Sequence, residues 1–280
     1  MYLLRVLQYC RIITVLQICT AEALQECPEG GTKAVNNKHF SALIGADFPR
    51  DAYGELFSLD CITNVYVLPP DPSVNSPIKT HPDTVLCVFR GVIYCHESYA
   101  AIAADTLCEI AEECGLTLCP CGGRRSGIYP FDTAFNALCD PKERFIIARE
   151  SSICEPLKPL CRNTRQGYAA CCAQIINDTV VTADPSVEKT ALRLGIAAKR
   201  ISGGGILLKG YEKGFIGGCT GIVHGDITDT VLTVGDPNSC EAGRELAALC
   251  KKMNVPVIPL GSGPLTDVGG IKLIPVKQRP

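Results

Sequence analysis

Basic runs, long apolar runs and tryptophan are all missing from this sequence. The chain has 280 residues, a formal net charge of -2 and no Trp. Its basic residues come in short pairs such as Arg124-Arg125 and Lys251-Lys252. A duplex-binding surface carries a strong basic excess, so no nucleic-acid partner is expected. The apolar N-terminus, "MYLLRVLQYCRIITVLQICTAEA", is interrupted by Arg5, Gln8, Arg11 and Gln17. No uninterrupted apolar run approaches the ~20 residues that span a bilayer, so no membrane association is expected. The piece "IITVLQICTAEA" has a faint likeness to a signal-peptide core with its cleavage site. An amphipathic helix and a misplaced start codon are the plainer readings. The Pro, Gly and Asn of "ECPEGGTKAVNNKH" then read as a linker. Residues 1–38 are therefore taken as an extension and linker, and 39–280 as a single domain.

What the chain does have is a core and many cysteines. Hydrophobic residues make up 46% and charged residues 20%, which supports a packed interior. The 18 cysteines sit mostly inside apolar patterns, as in "TVLCVF" and "AALCKKM". Free Cys behaves as a small buried hydrophobe, so mostly unpaired thiols in a reducing cytoplasm are expected. Structural zinc favours two pairs of cysteines with two to four residues between the members of each. Cys119-Pro120-Cys121 and Cys171-Cys172 do not fit that spacing, and no metal or other cofactor is expected.

The segment "TVVTADPSVEKTALRLGIAAKRI" from Thr179 is echoed by "TVLTVGDPNSCEAGRELAALCKKMNVPVI" from Thr230. Each reads strand, Asp-Pro, helix, strand. Asp184 and Asp236 suit helix capping, and Pro185 and Pro237 suit the first helical position. A further apolar run precedes each copy, "CCAQII" and "GCTGIV", which makes the unit strand, strand, helix, strand. The segment from Asp83 to Gly123 repeats it, with Ile102, Leu107, Ile110 and Ala111 on a helical period. The segment from Asp132 to Cys161 gives a shorter copy, whose helix Pro156 and Pro159 shorten or distort. The last copy is split. "DVGGIKLIPV" supplies one strand at the C-terminus, and "SALIGADFPRDAYGELFSLDCITNVYVLPP" supplies the rest near the N-terminus. The leading strands begin near Asp83, Asp132, Cys171, Gly218 and Asp267, at steps of about 49, 39, 47 and 49 residues, which is a repeat-protein spacing. The fold expected is a five-bladed ββαβ propeller of pseudo-fivefold symmetry, its last blade closed by the two chain ends.

A rotation about such an axis brings those five starting positions face to face. His81 lies two residues before Asp83, Asn136 sits just inside its strand, and Tyr129 belongs to a nearby loop. Gly217, Gly218, Gly269 and Gly270 leave room for a ligand to approach the backbone. Converging carboxylates repel unless a cation or raised pKa values relieve them, and a planar guanidinium or amidinium matches carboxylate geometry. A cysteine beside such a cation becomes a better thiolate, and a His can move the protons of an attack on the guanidinium carbon. Cys171, His81 and Asp83 are thus the candidate catalytic residues. Asp132, Asn136, Asp267, Tyr129, Gly217 and Gly218 are the candidate substrate-binding residues. Each has a plainer reading as core packing, a turn or a cap, and a bound metal would also relieve the repulsion.

The stretches "THPDTVL", "GIYPFDTAFNA", "RQGYAACCAQI", "GYEKGFIGGCTG" and "GSGPLTDVGG" resemble an uncharacterised bacterial family, domain of unknown function 6873. That family is assigned to the guanidino-group-modifying enzyme (GME) fold, also called the pentein fold. The resemblance runs from about Phe40 to Val276 and implies a five-bladed α/β propeller. The fold includes arginine and agmatine deiminases, dimethylarginine hydrolase and amidinotransferases, which use a Cys, a His and paired carboxylates without an organic cofactor. This chain departs from them. Their nucleophilic Cys typically lies in the last repeat, where this chain has Asp267. Their His typically lies in a middle repeat, whereas His81 is near the start. The resemblance therefore implies one of two functions. One is a Cys-dependent hydrolase or transferase acting on a small cationic guanidino compound. The other is a non-catalytic binding member of the fold, which also includes a ribosome-binding translation factor.

Overall fold

The computed structural model of the protein describes residues 38–276. The apolar N-terminal stretch and nearly all of the linker lie outside the described residues, as does the signal-peptide reading.

The described chain forms five three-stranded sheets. In each sheet a leading strand runs antiparallel to a second strand, and a third strand lies parallel to the second. Leu86–Phe89, Val92–His96 and Thr117–Cys121 make one sheet. Leu138–Cys139, Ile146–Ala148 and Cys161–Asn163 make the next. Ala173–Ile176, Thr179–Thr182 and Ala198–Arg200 follow, and then Thr220–Val223, Thr230–Asp236 and Val257–Pro264. The fifth sheet joins the chain ends: Lys272–Pro275 pairs antiparallel with Phe40–Gly45, which runs parallel to Ile62–Leu68.

Local chemistry explains the connections. Two hairpins turn on two residues that both have positive φ, Arg90-Gly91 (52° and 71°) and Asn177-Asp178 (45° and 60°). That conformation matches the twist of the flanking strands and favours Gly, Asn and Asp. The parallel pairs need a crossover, usually helical. Asp184 starts one crossover helix, accepting from the N–H groups of Ser186 and Val187 at 2.7 and 3.0 Å. Asp236 does not repeat that device in full. It caps only the 3-10 turn Pro237–Ser239, and the α-helix Glu241–Lys252 starts after Cys240. In the short copy, Pro156 and Pro159 sit in a 3-10 helix, Glu155–Leu160. The helix with Leu107 and Ile110 is preceded by a separate one, Glu97–Ile102, and Ile102 is exposed because it lies beyond that break.

The leading strands begin later than the repeat pattern placed them. Asp83 and Cys171 lie in single helical turns, Pro82–Val85 and Ala169–Cys172, and Gly218 lies in a 3-10 turn, Gly217–Cys219. A short apolar run does not distinguish one helical turn from the start of a strand.

The core lies between sheets. Leu43 and Leu68 of the end-joining sheet pack with Leu86, Ile93 and Leu107. Cys87 and Phe89 of that second group's sheet pack with Phe135 and Ile146. Leu138 and Ile147 pack with Ala173 and Val180, and Ile176 and Val181 with Val231 and Leu246. Leu232, Val234 and Leu260 return to Phe40, Ala42 and Ile44. Each sheet thus shares one cluster with the sheet before it and one with the sheet after, and the clusters link all five in a cycle. The leading strands of all five also line one cavity of about 350 Å³.

Leu43 is fully buried at the joint between the chain ends. Leu43→Ala should therefore cost about 2–5 kcal/mol through lost burial and a residual void. A lowered midpoint in urea unfolding with unchanged slope checks this.

Candidate functional site

The turns that precede the leading strands bring together residues distant in sequence. Cys171 Sγ lies 2.8 Å from Asp83 Oδ2, to which it donates its S–H. Asn136 holds the Cys171 turn on two sides. Its Nδ2 donates to Cys171 Sγ at 3.1 Å, and its Oδ1 accepts from the N–H groups of Ala170 and Cys171 at 2.7 and 3.3 Å. Asp267 accepts from the N–H groups of Phe215 and Gly269 at 2.9 and 3.0 Å. His81 Nδ1 stands 3.7 Å from Asp267 Oδ1. His81, Asp83, Asn136, Cys171 and Asp267 are all buried.

His81, Cys171 and Asp267 line a cavity of about 280 Å³. Its walls are apolar and aromatic, from Ile78, Leu208, Tyr168, Tyr211 and Phe215, and Glu212 and Lys213 stand at the exposed rim. Such a pocket, apolar with a few convergent polar groups, is the form of a small-molecule site. The segment from Ser202 to Ile216 arches over it. Leu207 anchors that segment by donating to Leu265 O at 3.0 Å and accepting from the Asp267 N–H at 2.7 Å.

Burial and like charge set the protonation states. Burial raises the Asp83 carboxyl, against the pull of the Lys272 and His81 charges. Burial and the Asp83 charge push Asp267 up to about 7. Burial, then the charges of Asp83 and Asp267, hold the Cys171 thiol well above its usual range. Burial lowers His81, although Asp83 and Asp47 oppose it. The pocket thus collects groups that resist negative charge unless a cation joins them. Asp83 Oδ1 has no hydrogen-bond partner among the described residues.

The remaining expected residues have other surroundings. The Asp132 carboxylate accepts the Tyr168 hydroxyl hydrogen bond, and its other oxygen has no partner among the described residues. Asp132 reaches the pocket only through that tyrosine, and Asn136 takes the place beside the thiol. Tyr129 is half-exposed, lies against Tyr168 with ring centroids 5.8 Å apart and a 30° tilt, and accepts from Arg149. The glycines do not open the backbone to a ligand. A Cβ on Gly218 would fall 2.0 Å from Asp267 Oδ1, and one on Gly217 would fall 2.1 Å from Ala170 O. One on Gly269, where φ is 79°, would meet His81 Cβ at 2.4 Å. These glycines let protein pack against protein.

Two contributors were not singled out from sequence. Arg125 is buried, pairs with Asp71 at 2.8 Å and donates to Thr84 O, in the turn of Asp83, at 2.9 Å. Tyr168 lines the pocket. It stands in "RQGYAACC", three residues before Cys171, one helical turn away, which is the signal that marks it. For Arg125 the sequence offers only the pair "RR".

Buried thiol, carboxylates and imidazole in an aromatic pocket define a candidate small-molecule site. A family described as a family of unknown function, DUF6873, matches residues 54–272, and the chain belongs to that family. No curated protein matches the chain.

Two outcomes follow. Gly218→Ala should cost about 1–3 kcal/mol by overpacking, and adding Asp267→Ala should recover part of that loss, a non-additivity that a double-mutant cycle in urea measures. Asp267 titrates near 7 when folded and about 3.9 when unfolded. Between those values the folded state binds more protons, so stability falls as pH rises from about 4 to about 7. Asp267→Asn should flatten that slope in thermal melts across pH.

Proposed function

We propose that the five sheets are blades of a closed propeller of the pentein type, and that the pocket takes a small planar cation of the guanidinium or amidinium class. Two packing features support the propeller: the cycle of shared clusters and the one cavity lined by all five leading strands. The observation that carries the function is the Cys171 thiol at 2.8 Å from Asp83, in a pocket that also holds Asp267 and His81. A cation seated there offsets the burial and like charge that disfavour the charged forms of Asp83, Cys171 and Asp267.

The reaction proposed is a Cys-dependent hydrolysis or transfer. Cys171 passes its proton to Asp83, and Sγ attacks the cationic carbon. Asp267 holds the cation by its N–H groups. One C–N bond breaks as Asp83 passes the thiol proton on to the leaving nitrogen. Neutral His81 then takes a proton from water, or from another nucleophile in a transferase, as that nucleophile cleaves the C–S bond, and the proton returns to the Cys171 sulfur. The other oxygen of Asp83, Oδ1, has no partner among the described residues and is free to accept a hydrogen bond from the cation. A reducing, cytoplasmic setting suits this chemistry. Ten of the described cysteines are buried and none of the ten is in a disulfide, and no described helix is long and apolar enough to cross a membrane. A second reading, binding without reaction, is favoured by the raised Cys171 thiol, since a neutral thiol is a weak nucleophile.

Alkylation separates the two. Each cysteine's rate with neutral iodoacetamide and with a cationic haloacetamidine is mapped by mass spectrometry. The proposal expects Cys171 to prefer the cationic reagent over the other thiols by tenfold or more, and the preference to vanish in Asp83→Asn and Asp267→Asn. A cation that protects Cys171 without such a preference supports binding alone. Equal, slow reaction of Cys171 with both reagents, with no protection by guanidinium compounds, overturns the cation pocket. Binding should also release protons, seen by calorimetry as a heat that changes with the buffer's ionisation enthalpy.

A further inference from the structure

The larger cavity, of about 350 Å³, contains a second set of thiols that the proposed reaction does not use. Cys87 and Cys139 lie on the leading strands of neighbouring sheets, with their sulfurs 3.5 Å apart. Both line the cavity, and so does Lys272 from the end-joining sheet. The Lys272 side chain makes no hydrogen bond or ion pair among the described residues. Lys38, Pro141, Glu143 and Pro275 line the same cavity and are exposed, so they mark its opening. The Cys87 and Cys139 thiols share a hydrogen bond, which lowers the Cys139 thiol against its burial, and the Lys272 charge lowers it further. The same hydrogen bond, with burial, raises Cys87. The pair is therefore an accessible nucleophilic sulfur with a resolving sulfur in contact, beside a cation.

We propose that Cys87 and Cys139 are a modification site oxidised by hydroperoxides, whose disulfide ties the leading strands of two neighbouring sheets together inside this cavity. The Cys139 thiolate attacks one peroxide oxygen and breaks the O–O bond. Cys139 becomes a sulfenic acid, and the other oxygen leaves as hydroxide or alkoxide and takes up a proton. Cys87 sulfur then displaces the hydroxyl from Cys139 sulfur, and its own proton leaves with that hydroxyl as water. Two thiols lose two electrons in all, and one hydroperoxide gains them.

Cys121 and Cys154 provide an internal comparison. Cys154 raises the Cys121 thiol, both are buried, and neither lines the cavity. The test treats the reduced full chain with limiting hydrogen peroxide, blocks the remaining thiols with iodoacetamide and maps the peptides. The expected first product is a Cys87–Cys139 cross-link, reversed by dithiothreitol. In Cys87→Ser, and again in Cys87→Ala, Cys139 should bind the sulfenic-acid trap dimedone. Lys272→Gln should slow the cross-link about tenfold, the loss of thiolate that one pKa unit brings. The proposal is overturned if Cys121–Cys154 or Cys87–Cys154 forms first. It is equally overturned if Cys87 and Cys139 are still alkylated after other thiols have oxidised. An unchanged rate in Lys272→Gln removes that lysine's part in the assignment.

Discussion

The Asp267 carboxylate occupies the space that any side chain at position 218 would need. A Cβ there would lie 2.0 Å from Oδ1. The rest of the candidate site depends on this contact. It joins the turn before one leading strand to the turn before the next, and the Asp267 side chain accepts from the Phe215 and Gly269 N–H groups. Those bonds fix the segment that roofs the pocket and the backbone that meets His81. Gly269 O in turn accepts from the Asp83 N–H at 3.3 Å, which places the carboxyl beside Cys171. One close approach of backbone to carboxylate thus sets the position of three chemical groups.

That arrangement has an electrostatic cost. Asp83, Cys171 and Asp267 are buried together, and burial opposes the charged form of each. The surrounding structure compensates in part. Buried Arg125 bonds to the carbonyl of Thr84 and pairs with Asp71, so it braces the Asp83 turn without touching the pocket. Asn136 braces the Cys171 turn through three hydrogen bonds. Asn136 lies just before the leading strand Leu138–Cys139 and holds the turn before the neighbouring leading strand, Ala173–Ile176, so this brace runs from one sheet to the next.

The repeated unit was legible because each copy carries its own local chemistry. Asp184 and Pro185 cap a helix by themselves, the apolar runs of the second strands are continuous, and the pairing of the chain ends follows from two incomplete copies. The starts of the leading strands were not legible. A four-residue apolar stretch such as "AACC" has the same pattern in a helical turn as in a strand, and only its neighbours decide. The glycines were misread for a related reason. Glycine signals a close approach, but the sequence does not say what approaches, and here it is the Asp267 carboxylate, backbone carbonyls and His81 of the protein itself. Asp132 and Asn136 were both read as binding residues, and the turn between them carries Asn136 to the thiol and leaves Asp132 on the Tyr168 hydroxyl.

The sequence by itself determined five strand–strand–helix–strand units, the join between the two ends, and a set of residues with the chemistry to handle a cation. Those features are written in contacts a few residues long and in the period of apolar side chains. Tertiary structure alone decided which of those residues meet. Cys171 and Asp83 are 88 positions apart, and Cys87 and Cys139 are 52 apart. Pairs so distant meet only when the buried faces of neighbouring sheets lock together, because that packing, and no local preference, fixes the angle and height of one sheet against the next.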